Sequence, residues 1–119
     1  MIAIRYLVND VDSSVEFYTS ALGFTLVQKF GPAMAILERS GVRLWLAGPN
    51  SSAAKPMQDG SKPSPGGWNR FVIQVTDMSA FVSELESKQV KFRNAVVTGP
   101  AGSQVLIEDP SGNLIEIFS

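Results

Sequence analysis

The sequence contains neither cysteine nor histidine. Without cysteine there is no disulfide, no thiolate nucleophile and no zinc ribbon. Without histidine there is no Ser-His-Asp triad, no imidazole general base and no metal site with imidazole ligands. An enzyme built from this chain would have to rely on carboxylates, lysine, tyrosine or bound water.

The chain also lacks an excess of charge and a long apolar run. Ten Lys and Arg stand against 11 Asp and Glu, which gives a net charge of −1. Because no surplus of cations is available to replace counterions, we expect no binding to nucleic acid or to an anionic membrane. No apolar run approaches the ~20 residues of a membrane span, and the first residues show no secretory signal pattern. We therefore expect a cytoplasmic protein.

The composition is that of one globular domain, residues 1–119, with 45% hydrophobic and 18% charged residues. Its hydrophobic patterning predicts the order strand, helix, strand, strand, strand, twice. Asp10 matches Asp77 at an offset of 67 residues, and Ser40-Gly41 matches Ser111-Gly112 at an offset of 71. We interpret residues 1–47 as module one, 70–119 as module two, and 48–69 as a connector rich in Pro, Gly and Ser.

Each module is predicted to contain four strands and one helix. The strands are expected at residues 2–8, 25–29, 34–38 and 42–47, and at 70–75, 91–94, 104–108 and 113–118. Ser13 and Glu16 have the spacing of a capping box at the first helix, and Asp77 is expected to cap the second. A connector of this length is typical of a lid or binding loop, but a plain linker between modules is the alternative.

Alternation along the strands collects polar and aromatic side chains on one face. That face holds Arg5, Arg43, Trp45, Arg70, Gln74 and Glu116. Phe118 shares the face of Glu116, and Trp68 immediately precedes the strand of Arg70. Such residues could line a concave pocket, or they could form the ordinary solvated side of a half-buried sheet.

Two segments carry a resemblance to a known family. Residues 8–24 read VNDVDSSVEFYTSALGF, similar to the pattern V-x-D-x-x-x-S-x-x-F-Y…L-G-F, and residues 108–116 read EDPSGNLIE, similar to D-P-x-G-N-x-I-E. Over its whole length the chain resembles the vicinal oxygen chelate superfamily of glyoxalases, bleomycin resistance proteins and extradiol dioxygenases. The resemblance implies an α+β fold of two tandem βαβββ modules that form a curved mixed sheet around a concave pocket.

The resemblance also locates the positions at which the family's metalloenzymes hold a divalent metal, one on each of four strands. Those positions fall on Ala3, Trp45, Arg70 and Glu116. Only Glu116 could bind a metal, and the guanidinium of Arg70 would repel a cation and pair with that carboxylate, so we expect no metal and no other cofactor. A displaced metal site built from Asp59, Glu108 or main-chain oxygens is the alternative.

Relatives without metal ligands include resistance proteins that sequester flat aromatic antibiotics. By this resemblance we expect a homodimer that binds a small planar or anionic organic molecule in drug or metabolite sequestration. Aromatic contacts are expected from Trp45, Trp68 and Phe118, anion contacts from Arg5, Arg43 and Arg70, and further polar contacts from Gln74 and Glu116. The pocket could lie within one chain or between two.

Two other functions remain open at this point. The first is a lyase, isomerase or dioxygenase-like enzyme of the same superfamily, either metal-independent or with a displaced metal site. In the metal-independent form Glu116 would act as general acid or base, and Arg70 or Tyr6 would steer an oxyanion. An ion pair with Arg70 would keep that carboxylate ionised and weaken it as a base. No other catalytic constellation is present. The second alternative is a structural or regulatory interaction module.

Overall fold

The computed structural model describes all 119 residues. Module one contains β1 (Ala3–Leu7), α1 (Val11–Ser20), β2 (Thr25–Phe30), β3 (Met34–Arg39) and β4 (Val42–Ala47). Module two contains β5 (Phe71–Gln74), α2 (Met78–Ser87), β6 (Lys91–Phe92), β7 (Val97–Gly99), β8 (Gly102–Glu108) and β9 (Leu114–Phe118). A single turn of 3-10 helix, Ser52–Ala54, lies in the connector. No helix has the length and apolar character needed to cross a membrane.

Each module builds a mixed sheet of its own. The strand order is β1-β4-β3-β2 in module one and β5-β9-β8-β6 in module two, with β7 paired to β8. In both sheets the first and last strands of the module pair in parallel, and the other pairs are antiparallel. This confirms the α+β fold of two βαβββ modules. The short strand β7 was not predicted, because three residues are too few to show an alternating pattern.

The two modules repeat each other in register. The parallel pairs include Ile4 with Leu44 in module one and Phe71 with Ile115 in module two. These partners differ by 67 and 71 positions, so the structure confirms both offsets. Gly41 and Gly112 occupy the turn before the last strand of each module, with φ of 78° and 84°. That left-handed backbone favours glycine, which explains why the turn sequence repeats.

The two helices begin in the same way. Asp10 Oδ2 accepts a hydrogen bond from Ser13 N at 2.8 Å, and Asp77 Oδ1 accepts one from Ala80 N at 3.0 Å. Asp77 therefore caps the second helix, as the sequence predicted. The capping-box prediction for Ser13 and Glu16 was wrong, because the helix begins one turn earlier and Asp10 already satisfies the free amide of its first turn.

One hydrophobic core serves both modules. Fifteen buried residues form it, and they include Tyr18, Leu37, Leu44, Ile107 and Ile117. These side chains come from α1 and from the helix-facing side of both sheets. Because both helix-facing sides contribute to the same core, the opposite side of each sheet lies away from it.

Two tyrosines connect the modules, of which Tyr18 is buried and Tyr6 is half-buried. Tyr6 Oη donates to the carbonyl oxygen of Leu114 at 2.7 Å, and Tyr18 Oη donates to Asp109 Oδ2 at 2.8 Å. Burial raises the pKa of Tyr6 to about 12. Burial, followed by the nearby carboxylate of Asp109, raises the pKa of Tyr18 well above its usual value. Both hydroxyls therefore stay protonated at neutral pH and act as donors between the modules.

Candidate functional site

Arg5 and Trp45 form the first pair of candidate residues. They are partners in the parallel β1–β4 ladder, so their side chains leave the same face of the sheet, away from the core. The guanidinium carbon of Arg5 lies 5.1 Å from the centroid of the Trp45 ring, within cation–π distance. Sequence alternation placed both residues on one face, and the structure brings them into contact.

This pair has hydrogen-bonding capacity that the chain does not use. Trp45 Nε1 is buried and has no acceptor, and Arg5 takes part in none of the ion pairs. A buried donor without an acceptor costs about 1–3 kcal/mol, and such donors are rare in native proteins. An acceptor that reached Trp45 Nε1 would satisfy this donor, and a negative charge on it would attract the guanidinium of Arg5. Since Nε1 has no exposed surface, a neighbouring side chain must move aside to admit such an acceptor.

Arg43 lies on the same face but is already paired. Its Nε is 3.1 Å from Oε2 of Glu38, its cross-strand partner in β3. Both side chains are more than one-third exposed, at 37% and 42%, so this ion pair contributes little to stability. Arg43 would have to leave Glu38 to bind an anion, which makes Arg5 the stronger anion-binding candidate.

Arg70 and Glu116 form the corresponding pair in module two. Arg70 Nε and Nη2 donate to Oε1 of Glu116 at 3.0 and 2.7 Å, and Glu116 is only 8% exposed. Arg70 Nη1 also donates to the carbonyl oxygen of Trp68 at 3.3 Å. The two charges therefore neutralise each other, as the sequence predicted, and Arg70 is not free to bind another anion.

Trp68, at the end of the connector, contacts Arg93, which was not among the predicted site residues. Trp68 is 68% exposed, and the guanidinium carbon of Arg93 lies 5.3 Å from the centroid of its ring. Arg93 Nε also lies 3.1 Å from Glu108 Oε2. Arg93 was missed because it follows a strand of only two residues, and no sequence signal relates it to the distant connector.

Gln74 and Phe118 are partners in the β5–β9 ladder and share the face of Glu116. They lie two residues farther along their strands than Val72 and Glu116, which corresponds to roughly 6.5 Å. Gln74 is exposed and Phe118 is half-buried. Both belong to the module-two surface, although Gln74 also borders a separate cavity between the modules.

The candidate residues thus fall into two groups, one on each sheet. The module-one group consists of Arg5, Arg43 and Trp45. The module-two group consists of Trp68, Arg70, Gln74, Glu116 and Phe118. No hydrogen bond, ion pair or ring contact joins the two groups. No residue of the module-one group lines any of the five cavities described for the chain, so none of these cavities joins the two groups.

The four positions related to the family's metal site do not fit a metal ion. Ala3 has no donor atom, Trp45 presents an N–H and not a lone pair, and Arg70 carries a positive charge. Glu116 has one oxygen occupied by Arg70, which leaves one carboxylate oxygen. Zinc requires about four donors and hard divalent ions about six.

The alternative, displaced metal site lacks a donor cluster as well. No group of three or more His, Cys, Asp or Glu side chains lies close enough together to hold a metal ion. Asp59 Oδ1 accepts hydrogen bonds from the amide and hydroxyl of Ser61. Glu108 Oε2 lies within ion-pair distance of Arg93 and Lys91.

The groups considered for metal-independent catalysis are engaged in other contacts. Tyr6 Oη donates to Leu114 and accepts a hydrogen bond from the amide of Phe71 at 3.3 Å. Its raised pKa makes it a poor proton donor at neutral pH. Glu116 is held by Arg70. Neither Tyr6 nor Glu116 is therefore free to act as a general acid or base, whereas Arg5 and Trp45 retain donors that a ligand could use.

Comparison with protein families gives a match over almost the entire chain. The model of the Glyoxalase/Bleomycin resistance protein/Dioxygenase superfamily matches residues 2–117. This agrees with the resemblance drawn from the two sequence motifs. None of the curated proteins compared with the chain matches it.

Several solved structures share the fold. Lactoylglutathione lyase from Agrobacterium tumefaciens is 18% identical with a TM-score of 0.76, covering 99% of this chain and 91% of that chain. The fosfomycin resistance protein FosX from Listeria monocytogenes is 10% identical with a TM-score of 0.76, covering 99% and 90%. A virulence protein from Salmonella typhimurium is 26% identical with a TM-score of 0.70, covering 99% and 94%.

Proposed function

Because the chain belongs to the glyoxalase, bleomycin resistance protein and dioxygenase superfamily, we propose that it binds a small anionic organic molecule without a metal ion at the family's metal positions. The role proposed is sequestration of a drug or metabolite in the cytoplasm. The observation that carries the proposal is the pair formed by Arg5 and Trp45. The first has no carboxylate partner and the second has a buried N–H without an acceptor.

A carboxylate or phenolate fits the hydrogen-bonding capacity of this pair. Its oxygen atoms can accept from the guanidinium of Arg5 and from Trp45 Nε1, and charge-assisted hydrogen bonds are roughly twice as strong as neutral ones. Ile36, the neighbour of Trp45 in β3, and Met34 on the same face are half-buried. A flat apolar body attached to the anionic group would pack against these side chains.

A homodimer is part of the same proposal. The edge strand β2 exposes Leu26, Val27 and Phe30 at 42%, 44% and 46%, and an exposed apolar edge strand favours association with a second copy. A second copy could cover the Arg5–Trp45 surface and add polar contacts from its own module-two group. The ligand would then be enclosed between two chains, although each chain alone leaves the two groups apart.

The proposal is tested by calorimetric titration with naphthoate, a flat aromatic carboxylate, and with the uncharged naphthamide. We expect naphthoate to bind and naphthamide to bind at least about tenfold more weakly, since it lacks the charge. Trp45→Phe keeps a ring but removes the N–H, and it should weaken naphthoate binding. Asn50→Ala, at an exposed turn of the connector, is the control variant and should leave naphthoate binding unchanged. Equal binding of the two probes, or no effect of Trp45→Phe, would contradict the proposal.

Native mass spectrometry of freshly purified protein tests the absence of a metal separately. We expect a multiple of the 12.8 kDa chain without a stoichiometric metal ion. Additional organic mass would identify the ligand directly. One metal ion per pocket would contradict the proposal and indicate that the chain is a metalloenzyme like those of its family.

A further inference from the structure

A cavity between the two modules has no role in the function proposed above. It measures about 310 Å³ and lies where β1 of module one approaches β5 of module two. Ligand pockets begin at roughly this size, on the order of 300 Å³. Neither Arg5 nor Trp45 borders it, so it is distinct from the proposed anion site on the outer face of sheet one.

The walls of the cavity are mainly apolar. Six hydrophobic residues line it: Ile4, Phe24, Val42, Phe71, Val72 and Ile73. The rings of Phe24 and Phe71 meet edge to face with centroids 6.0 Å apart, so the two modules hold this part of the wall together. Val42 and Val72 are 45% and 50% exposed. These two valines form the opening of the cavity, and the hydrocarbon part of a ligand would bury them.

The remaining three lining residues are polar and have no partner in the chain. Arg39, Ser40 and Gln74 contribute to the cavity, and no side-chain hydrogen bond or ion pair in the protein involves any of them. Arg39 is half-buried at the end of β3. It differs in this respect from Arg43, Arg70 and Arg93, each of which faces a carboxylate.

We propose that this cavity binds a small aliphatic carboxylate. The hydrocarbon part would occupy the apolar walls, and the carboxylate would pair with the guanidinium of Arg39 and accept hydrogen bonds from Ser40 or Gln74. The volume corresponds to about ten water-sized groups, at roughly 30 Å³ each. A single acid with a chain of about eight carbons matches this size, and a longer chain would extend through the mouth between Val42 and Val72 into solvent.

Octanoate and octanol are the probes, since they share a hydrocarbon chain and differ in charge. In amide proton–nitrogen NMR spectra, octanoate is expected to shift the resonances of Phe71–Gln74 and Ser40, and to leave the indole resonance of Trp45 unchanged. Shifts at Trp45 without shifts at Phe71–Gln74 would place the acid at the outer site and overturn the proposal. Failure of octanoate to bind at all would also overturn it.

Two variants test the two halves of the cavity. Arg39→Gln should weaken octanoate binding at least about tenfold, because it removes the charge that pairs with the carboxylate, and it should leave octanol binding unchanged. Lys55→Gln removes the same charge from the exposed connector, and it should leave the binding of both octanoate and octanol unchanged. Val72→Phe keeps every polar group and fills the mouth, so it should weaken both probes even if Arg39→Gln does not fold. Octanoate binding that survives Val72→Phe, or that falls equally in Lys55→Gln, would overturn the assignment.

Naphthoate distinguishes the two sites. The further inference concerns the cavity alone, so Arg39→Gln should not change naphthoate binding at the Arg5–Trp45 surface. Trp45→Phe should likewise not change octanoate binding. Loss of both probes in Trp45→Phe would place both at the outer site and overturn the assignment of the cavity. Loss of both probes in Arg39→Gln would place both in the cavity and overturn the outer anion site instead.

Discussion

Trp45 and Glu116 occupy equivalent positions in the two modules. Trp45 is the partner of Arg5 in the β1–β4 ladder, and Glu116 is the partner of Val72 in the β5–β9 ladder, with the same register in both. At this position module one has an indole whose N–H lacks an acceptor. Module two has a carboxylate that an arginine neutralises. The repeat supplies the same scaffold twice, and the side chains make the two faces chemically different.

The first prediction compares the two arginines of module one. Arg5→Gln should weaken naphthoate binding by about tenfold or more, because a charge-assisted hydrogen bond contributes roughly 1.5–3 kcal/mol. Arg43→Gln should have a much smaller effect, since Glu38 already neutralises Arg43. Calorimetric titration measures both. An equal loss in the two variants would mean that the face attracts anions only through its general positive charge.

The second prediction concerns the Arg70–Glu116 ion pair. Glu116→Gln should lower the free energy of unfolding by about 1–3 kcal/mol, because it leaves the partly buried guanidinium of Arg70 without a countercharge. Glu38→Gln breaks an exposed ion pair and should cost less than about 1 kcal/mol. Urea unfolding gives both values. A double variant, Arg70→Met with Glu116→Leu, should be more stable than Glu116→Gln alone, and the contrary order would contradict this account.

The third prediction concerns alkaline pH. The chain has two tyrosines, Tyr6 and Tyr18, and burial raises the pKa of both. For both tyrosines the folded pKa exceeds the unfolded value of 10.0, so their contribution to stability is complete below pH 10. The contribution of Tyr6 is lost as the pH rises towards about 12, and that of Tyr18 falls over the same rise in pH and beyond it. Tyrosinate absorbance in the near ultraviolet should appear only above pH 10, together with a fall in unfolding free energy.

Tyr6→Phe provides the comparison for the alkaline titration. It removes one of the two shifted groups, so the unfolding free energy should decrease less steeply between pH 10 and 12 than in the unchanged protein. Tyrosinate absorbance that develops fully near pH 10 while circular dichroism remains native would show that the tyrosines are accessible to solvent. That result would contradict their burial between the modules.

The fourth prediction concerns Asn113, which joins three segments of the chain. Its Nδ2 donates to the carbonyl of Leu7 at 2.7 Å and to Asp109 at 2.9 Å, and its Oδ1 accepts from the amide of Gly66. Asn113→Ala leaves these groups without partners and should cost about 2–4 kcal/mol of unfolding free energy. Asn50→Ala, at an exposed turn, should change it by less than about 0.5 kcal/mol. Thermal and urea unfolding compare the two variants.

Much of the fold was predictable because local signals repeat. Alternating apolar residues marked the strands, and Asp77 and the two Ser-Gly turns marked equivalent boundaries in both modules. The strands in module one differ from prediction by at most one residue at each end. Module two was less regular: β6 is shorter than expected and β7 is additional, because short strands depend on pairing with β8 and carry little pattern of their own.

The candidate site was predicted less completely than the fold. Contacts between neighbouring strands, such as Arg5 with Trp45 and Arg70 with Glu116, follow from alternation and from the repeat. The contact between Trp68 and Arg93 does not, since it joins the connector to the end of a two-residue strand. The cavity beside Arg39 was also missed, because its walls come from elements far apart in the chain.

The amino-acid sequence by itself determined the two-module α+β fold, its internal repeat and the face of the sheet on which each polar residue lies. Strand periodicity and turn chemistry are local, so they can be read without knowing the neighbours. The tertiary structure alone decided that the helix-facing sides of both sheets share one core. It also decided that Trp45 Nε1 has no acceptor and that a cavity beside Arg39 lies between the modules. Alternation assigns a side chain to a face, but only non-local packing determines what lies opposite that face.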